Sequence, residues 1–311
     1  MRFDDGVDQA EGLRRLLVCN RTQVVAVAAG KAGVGCTSTT INLAAALAHS
    51  GKDVLVLDEN HAPNNLVDHL GLPARHDLLD VAQGRCTLVG AVLTANGFGV
   101  LPAARAMDAL AELPPAGRQR LENALIEVSS GVDVLLVDAA TPALRRVEGI
   151  PGRTVVSSSL TSGATLLVVV DATVSGITES YALIKRLAVE NARSQFGIVV
   201  NKAADEPAAM TVFNNMAAVA RRNLAARLAY LGHIPRDDRL KCATQLGRAV
   251  VEAFPASASA RACLALSGKL LHLPMPHDET KEGIRTIFHG LIKQTQQPLR
   301  RHSREMAHVV N

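Results

Sequence analysis

The sequence has no tryptophan, two tyrosines and six phenylalanines in 311 residues. A single-strand nucleic-acid reader that stacks bases on aromatic rings does not fit that composition. Its five cysteines, Cys19, Cys36, Cys86, Cys242 and Cys263, include no C-x-x-C pair. An odd, scattered set reads as reduced cytosolic thiols. Apolar runs such as Leu166–Val170 are strand-sized and too short to span a bilayer. The opening MRFDDGVDQAEG is acidic and unlike a secretory leader, so the expected location is cytoplasmic. No internal repeat is found. A body-wide excess of positive charge is missing too. Lys and Arg number 33 against 29 Asp and Glu, but six bases and two acids lie from Lys281 onward, leaving 27 against 27. The excess belongs to the C-terminus and argues against a DNA-binding face over the body.

What is present is an ordinary globular composition, 48% hydrophobic and 20% charged, able to bury a core. Short apolar, β-branched runs alternate with helical segments. The runs are VVAVAAG (24–30), DVLVLD (53–58), GFGVLPA (97–103), DVLLVD (133–138), TLLVVVD (165–171), FGIVVN (196–201) and AYLGHIP (229–235). Near-continuous apolar runs of this kind predict an α/β fold: a doubly wound, mostly parallel sheet with helices on both faces. Three parts are expected: an N-terminal helix at 1–20, the α/β domain at 21–275, and a linker, amphipathic helix and basic tail at 276–311. The stretch 145–162, with two glycines, a proline and four serines, reads as a loop.

The strongest motif is GKAGVGCTSTT, from Gly30, between the first strand and a helix. That is the context a phosphate-binding P-loop requires. The spacing fits G-x-x-x-x-G-K-[ST] except that Cys36 stands where the lysine belongs. Backbone N–H groups of Gly30, Lys31, Ala32, Gly33, Val34, Gly35, Cys36, Thr37 and Ser38 are expected to wrap phosphate oxygens. The helix N-terminus adds its dipole, and the Thr37 hydroxyl is placed to hold Mg²⁺. A charge-assisted hydrogen bond is worth ~1.5–3 kcal/mol. Losing the lysine therefore weakens binding about ten- to hundredfold. It also removes a charge that stabilises a transferring phosphoryl group. A helix N-terminus can lower a thiol pKa and make it reactive; the simpler reading of Cys36 is a small neutral filler.

A lysine at the front of the loop, here Lys31, marks the deviant Walker A class, and this chain resembles the MinD/ParA ATPases. Ala32 and Cys36 depart from that class pattern K-G-G-x-G-K-[ST]. Further blocks, VLVLDENHAPNNLVDHLGL (54–72), GRCTL (84–88), ITESYALIKRL (177–187), YLGHIPRDD (230–238) and VVEAFPASASA (250–260), are similar to one branch, the FlhG/FleN/YlxH flagellar-number regulators. The resemblance implies ATP and Mg²⁺ as cofactors. It implies that Lys31 reaches a partner's nucleotide in an ATP-bound homodimer, and that Thr37, Asp58 and Asp138 serve the metal, the aspartates indirectly. It also implies that Asn201 contacts adenine and that Pro235 lies against the base. The family's water-orienting aspartate falls on Asn60, which cannot take a proton from water; losing such a group costs about 10²–10⁴-fold in rate. The switch II D-T-x-x-G becomes DAATP at 138–142. Binding is expected to survive these changes and hydrolysis to be weakened.

The two ends extend the resemblance. DQAEGLRRLL (8–17) matches a D-Q-A-x-x-L-R element that stimulates the signal-recognition-type GTPase FlhF, with Asp8, Gln9, Ala10, Leu13 and Arg14 as partner-binding residues. At 281–296, Ile284, Ile287, Phe288, Leu291 and Ile292 form one helical stripe beside basic residues. That suits an interfacial helix on the anionic inner-membrane surface. Flagellar transcriptional activators and switch components are also implied as partners. The expected role is a peripheral, FlhG/FleN-like regulator of flagellar number or placement. Two alternatives stand beside it: a nucleotide-independent scaffold with the same fold, and a ParA-like DNA-partitioning ATPase. The neutral body disfavours the second, because non-specific DNA binding needs many phosphate contacts.

Overall fold

In a computed structural model of the protein, residues 22–63, 65–109, 112–141, 144–146, 154–156, 160 and 164–273 are described. The expected N-terminal and C-terminal helices and the linker fall outside them. The elements run β1 (Gln23–Ala28), α1 (Cys36–His49), β2 (Val54–Asp58), α2 (Leu66–His69), α3 (Leu78–Ala82), α4 (Leu88–Ala91), β3 (Leu93–Ala95), β4 (Phe98–Pro102), α5 (Ala104–Ala109), α6 (Pro115–Gly131) and β5 (Val134–Asp138). There follow β6 (Leu144–Arg146), β7 (Thr154–Val156), β8 (Thr165–Asp171), α7 (Val174–Glu190), β9 (Gln195–Ala203), α8 (Glu206–Asn223), β10 (Arg227–Pro235), α9 (Asp238–Gln245), α10 (Val250–Ala253) and α11 (Ala258–Leu271).

Eight strands form one sheet in the order β10-β9-β8-β1-β5-β2-β4-β3. All neighbours pair parallel except β3 with β4. The central strands β1, β2, β5, β8 and most of β9 are buried on both faces, which is why their sequences are apolar without alternation, whereas the edge strand β10 is partly exposed. Along β1, Val24, Ala26 and Ala28 join one core with α3, α6, α7 and α8. Val25, Val27 and Ala29 join the other with α1, α10 and α11. This two-sided packing is the doubly wound architecture the alternating runs predict.

Two short pairings lay below the resolution of the sequence pattern. Leu93–Ala95 turns back on β4 through Asn96 and Gly97, whose φ angles are +52° and +78°. Asn-Gly is a strong hairpin signal, and it was there to be used. Within the stretch expected as a loop, β6 and β7 pair antiparallel as a separate two-stranded ribbon. Their three-residue strands are too short to show a period.

The strand order reverses around β1, which has β5 on one side and β8 on the other. In open α/β sheets the crevice beyond the strand C-termini at such a point is where ligands bind. Register puts the acidic residues there. Asp58 is paired with Asp138 across β2 and β5, and Asp138 with Val27 across β5 and β1.

Candidate functional site

The chain leaves β1 at Ala28 and enters α1 at Cys36 through a loop shaped by two glycines. Gly30 lies on the backbone of α7; a Cβ there would overlap the carbonyl group of Glu179 and the amide of Ser180. Gly35 has φ +98°, a left-handed value that favours glycine, and a Cβ would meet the side-chain amide of Asn201. The loop is clamped from β9. Asn201 Nδ2 donates to the Val34 carbonyl at 2.7 Å, and Lys202 Nζ donates to the Gly33 carbonyl at 2.5 Å. No side chain caps α1, so its first turn presents dipole and amides to whatever enters. Gly33, Gly35, Cys36, Thr37, Ser38 and Asn60 line a cavity of about 190 Å³ at this point.

Below the cavity lies an unusual carboxylate pair. Asp138 is fully buried. It accepts hydrogen bonds from Thr37 Oγ1 at 2.8 Å, Thr40 Oγ1 at 2.9 Å and Asn60 Nδ2 at 2.8 Å. The Cys36 thiol adds a fourth neutral donor. Asp58, also buried, accepts from the amides of Leu66 at 2.6 Å and Asn60 at 3.0 Å. Burial raises the pKa of both carboxyls, and their mutual repulsion pushes Asp138 further in the same direction. The neutral donors oppose the rise without cancelling it. The cation that a lysine at 36 would bring is replaced by hydroxyls, an amide and a thiol.

Cys36 is not a reactive thiolate. Burial is the largest cause of a pKa well above the usual thiol value, and the neighbouring Asp138 adds to it. The expected lowering at a helix N-terminus is outweighed by desolvation, and the neutral-filler reading stands. Lys31 is exposed at the rim and donates to Ser175 Oγ at 2.6 Å. Pro235 ends β10, next to Ala203 of β9, on the same edge of the sheet as the loop. The structure thus gathers Gly30 to Ser38, Asp58, Asn60, Asp138, Asn201 and Pro235 along one edge. Asp8, Gln9, Ala10, Leu13, Arg14 and the stripe from Ile284 to Ile292 lie outside the described residues.

Four residues at the site escaped sequence reasoning. Thr40 stands one helical turn after Thr37, a spacing that could have flagged it. Lys202 follows Asn201 directly, with φ +56°. Thr141 donates its backbone amide to Asn60 Oδ1 at 2.9 Å, and His69 lines the cavity. Nothing in the local sequence marks the last two. Burial lowers the pKa of His69. Its Nδ1 is sealed from water and has no hydrogen-bond partner among the described residues.

Residues 25–250 match the CobQ/CobB/MinD/ParA nucleotide binding domain. The antiactivator FleN of Pseudomonas aeruginosa is 37% identical over 255 residues, covering 82% of this chain and 88% of that protein. The septum site-determining protein MinD of Bacillus subtilis is 33% identical over 122 residues, 37% of this chain and 44% of that one. Among solved structures, MinD of Aquifex aeolicus superimposes with a TM-score of 0.59 at 24% identity, covering 82% of this chain and 99% of that chain. MinD of Pyrococcus horikoshii, solved with Mg-ADP, gives 0.59 at 22% identity over 81% and 97% of the respective chains. The loop, its register with the aspartates and the breadth of these matches place the chain in the CobQ/CobB/MinD/ParA nucleotide-binding family, within its FleN-type branch.

Proposed function

We propose that this protein is a MinD-type, ATP- and Mg²⁺-binding regulator of flagellar number or placement, and that its ATP hydrolysis is weak. The observation that carries the nucleotide half is the cradle from Gly30 to Ser38, uncapped and opening on a cavity above Thr37. The residues fit the absent group. Among the described residues no three His, Cys, Asp or Glu side chains converge as a metal cage. What the site offers is the Thr37 hydroxyl at the cavity wall with Asp138 2.8 Å behind it, a set that suits Mg²⁺, which keeps several waters and takes few protein ligands beside phosphate oxygens. Thr37 would hold it, with Asp138 and Asp58 orienting its waters. Bound there, Mg²⁺ supplies charge neutralisation on the phosphates. The chain's own part would be to orient: the loop amides would hold phosphate oxygens and the uncapped first turn of α1 would face their charge.

The weak hydrolysis follows from Cys36 and Asn60. A neutral thiol and a neutral amide occupy the places where the family has a cation and a carboxylate, so neither charge stabilisation nor water activation is supplied there. Regulation would then depend on which surfaces are presented. The relative named an antiactivator supports contact with a transcriptional activator. The residues Asp8 to Arg14 are proposed to engage an FlhF-type GTPase, and the stripe from Ile284 to Ile292 the cytoplasmic membrane surface. ATP-bound homodimers would use Lys31 across the interface. Among the described residues no helix is long and apolar enough to cross a membrane.

A second reading, a scaffold that needs no nucleotide, is favoured by the saturation of Asp138 by neutral donors. One experiment separates the two. Full-length protein is titrated with Mg-ATP by calorimetry, and GTP turnover of an FlhF-type partner is followed with wild type and Gln9→Ala. A Kd tighter than millimolar with stimulation lost in Gln9→Ala supports the proposal. Stimulation without measurable ATP binding selects the scaffold, and no stimulation by either form removes the FlhF assignment.

A further inference from the structure

Asn60 is buried, and each polar atom of its side chain has a defined partner. Nδ2 sits among four oxygens: Asp138 Oδ2 at 2.8 Å, the Asp138 carbonyl at 3.2 Å, the Ala139 carbonyl at 3.4 Å and Asp58 Oδ1 at 3.4 Å. Oδ1 accepts the Thr141 amide at 2.9 Å. The orientation of the amide is therefore fixed by its surroundings: acceptors surround the nitrogen and a donor faces the oxygen. An aspartate in the same position would set an oxygen against those four acceptors. Around Asp138 the remaining donors are Thr37, Thr40 and the Cys36 thiol, all neutral.

We infer that Asn60 is a positioning residue that substitutes for the missing cation: its NH₂ serves the acceptor cluster in place of an ammonium at 36, and in doing so it ties 58–60 to 138–141 without any nucleotide. The two departures at 36 and 60 are thus one compensated change. Reverting position 60 alone removes the donor the cluster depends on. Reverting both returns a donor through the lysine. The segments at 59–61 and 139–141 flank the phosphate cavity, and the tie gives them a set conformation in the nucleotide-free protein. Other links run alongside: the Glu59 amide donates to the Asp138 carbonyl at 3.1 Å, the Ala140 amide to Glu59 Oε2 at 3.4 Å and the Ala139 amide to the Val27 carbonyl at 3.0 Å. None of these uses the side chain at 60, so the Thr141 amide, bonded to Asn60 Oδ1, is the one that reports the part played by Asn60.

The test uses the full chain without nucleotide or Mg²⁺, which keeps it separate from whether ATP is bound. Hydrogen–deuterium exchange is followed at 139–141 and at β8 as an internal reference, in wild type, Asn60→Ala, Asn60→Asp and Cys36→Lys/Asn60→Asp. The expected result is strong protection of the Thr141 amide in wild type and at least tenfold faster exchange there in Asn60→Ala, with the Ala139 amide, bonded to Val27, and β8 changing much less. Asn60→Asp should lower the melting temperature more than Asn60→Ala. Adding Cys36→Lys should recover at least half of that loss, although Cys36→Lys alone should not stabilise the wild type. A tie that serves only general packing would show no such rescue. If Asn60→Asp does not fold, the exchange of Asn60→Ala decides. The inference is overturned if the Thr141 amide exchanges freely in nucleotide-free wild type, if it exchanges in Asn60→Ala as in wild type, or if the effects of Cys36→Lys and Asn60→Asp simply add.

Discussion

Replacing Cys36 by lysine tests the nucleotide site directly. The thiol is 4% exposed, lies against Asp138 and opens onto the cavity. The thiol already bonds Asp138 and lies near Asp58, so an ammonium from the same Cα has two carboxylates within reach as well as the cavity. Two opposite charges about 4 Å apart attract by roughly 4 kcal/mol at an effective dielectric of 20. Two carboxylates therefore offset the cost of bringing the lysine out of water, and the variant is expected to fold. A charge-assisted bond to a β-phosphate contributes about 1.5–3 kcal/mol, or about ten- to hundredfold in affinity. Part of that gain is spent drawing the ammonium from Asp138, so the low end, about tenfold tighter Mg-ATP or Mg-ADP, is expected. Turnover should rise much less, because Asn60 still cannot accept a proton from water. Isothermal titration measures the first effect and phosphate release the second. An unchanged Kd in a folded variant would sink the argument that the missing cation limits binding. Family-like hydrolysis from this single change would show that Asn60 is not what limits turnover.

Two further outcomes follow from the same geometry. Gly35→Ala places a methyl on the Asn201 amide at φ +98°; the clamp on Val34 must open, with a cost of about 1–3 kcal/mol. Thermal melting should fall by several degrees and nucleotide binding should be lost; an unchanged melt would mean that the loop is not held as described. The buried aspartates set a pH dependence. Their folded pKa values, about 6 for Asp58 and about 7 for Asp138, lie above the ordinary carboxylate value. Groups raised in this way add stability that is fully present below the ordinary pKa and is lost as pH rises through the folded one. Without Mg²⁺, wild type should therefore lose stability relative to Asp138→Asn as pH rises from the ordinary value of 3.8 to about 7, with little further change beyond. Denaturant midpoints that move in parallel for the two proteins would refute the shift.

The parts of the molecule that the sequence made legible are those fixed by local chemistry. A near-continuous apolar run has a recognisable sequence signature, and all seven such runs are strands of the main sheet, the partly exposed edge strand β10 included. A glycine-rich turn between a strand and a helix can be read because its spacing is local. Asp58 and Asp138 could be picked out as strand-final residues in two similar runs, VLVLD and DVLLVD. What could not be read is how the site is neutralised. That depends on the register of β2 against β5, which puts Asp58 beside Asp138, and on the rotation of α1, which turns Thr40 as well as Thr37 toward the same carboxylate. Neither is encoded within a window of a dozen residues. Read singly, Cys36 and Asn60 are each the loss of a functional group. In the folded chain they contact the same carboxylate, Asp138. A buried carboxylate that loses its cation must find other donors or lose its own charge. Here four neutral donors surround Asp138 and its pKa is raised, so both responses are visible at once. The donors around Asp138 thus form one set drawn from α1 and from the end of β2. A nucleotide that binds here must compete for Thr37 with a carboxylate already bonded to it.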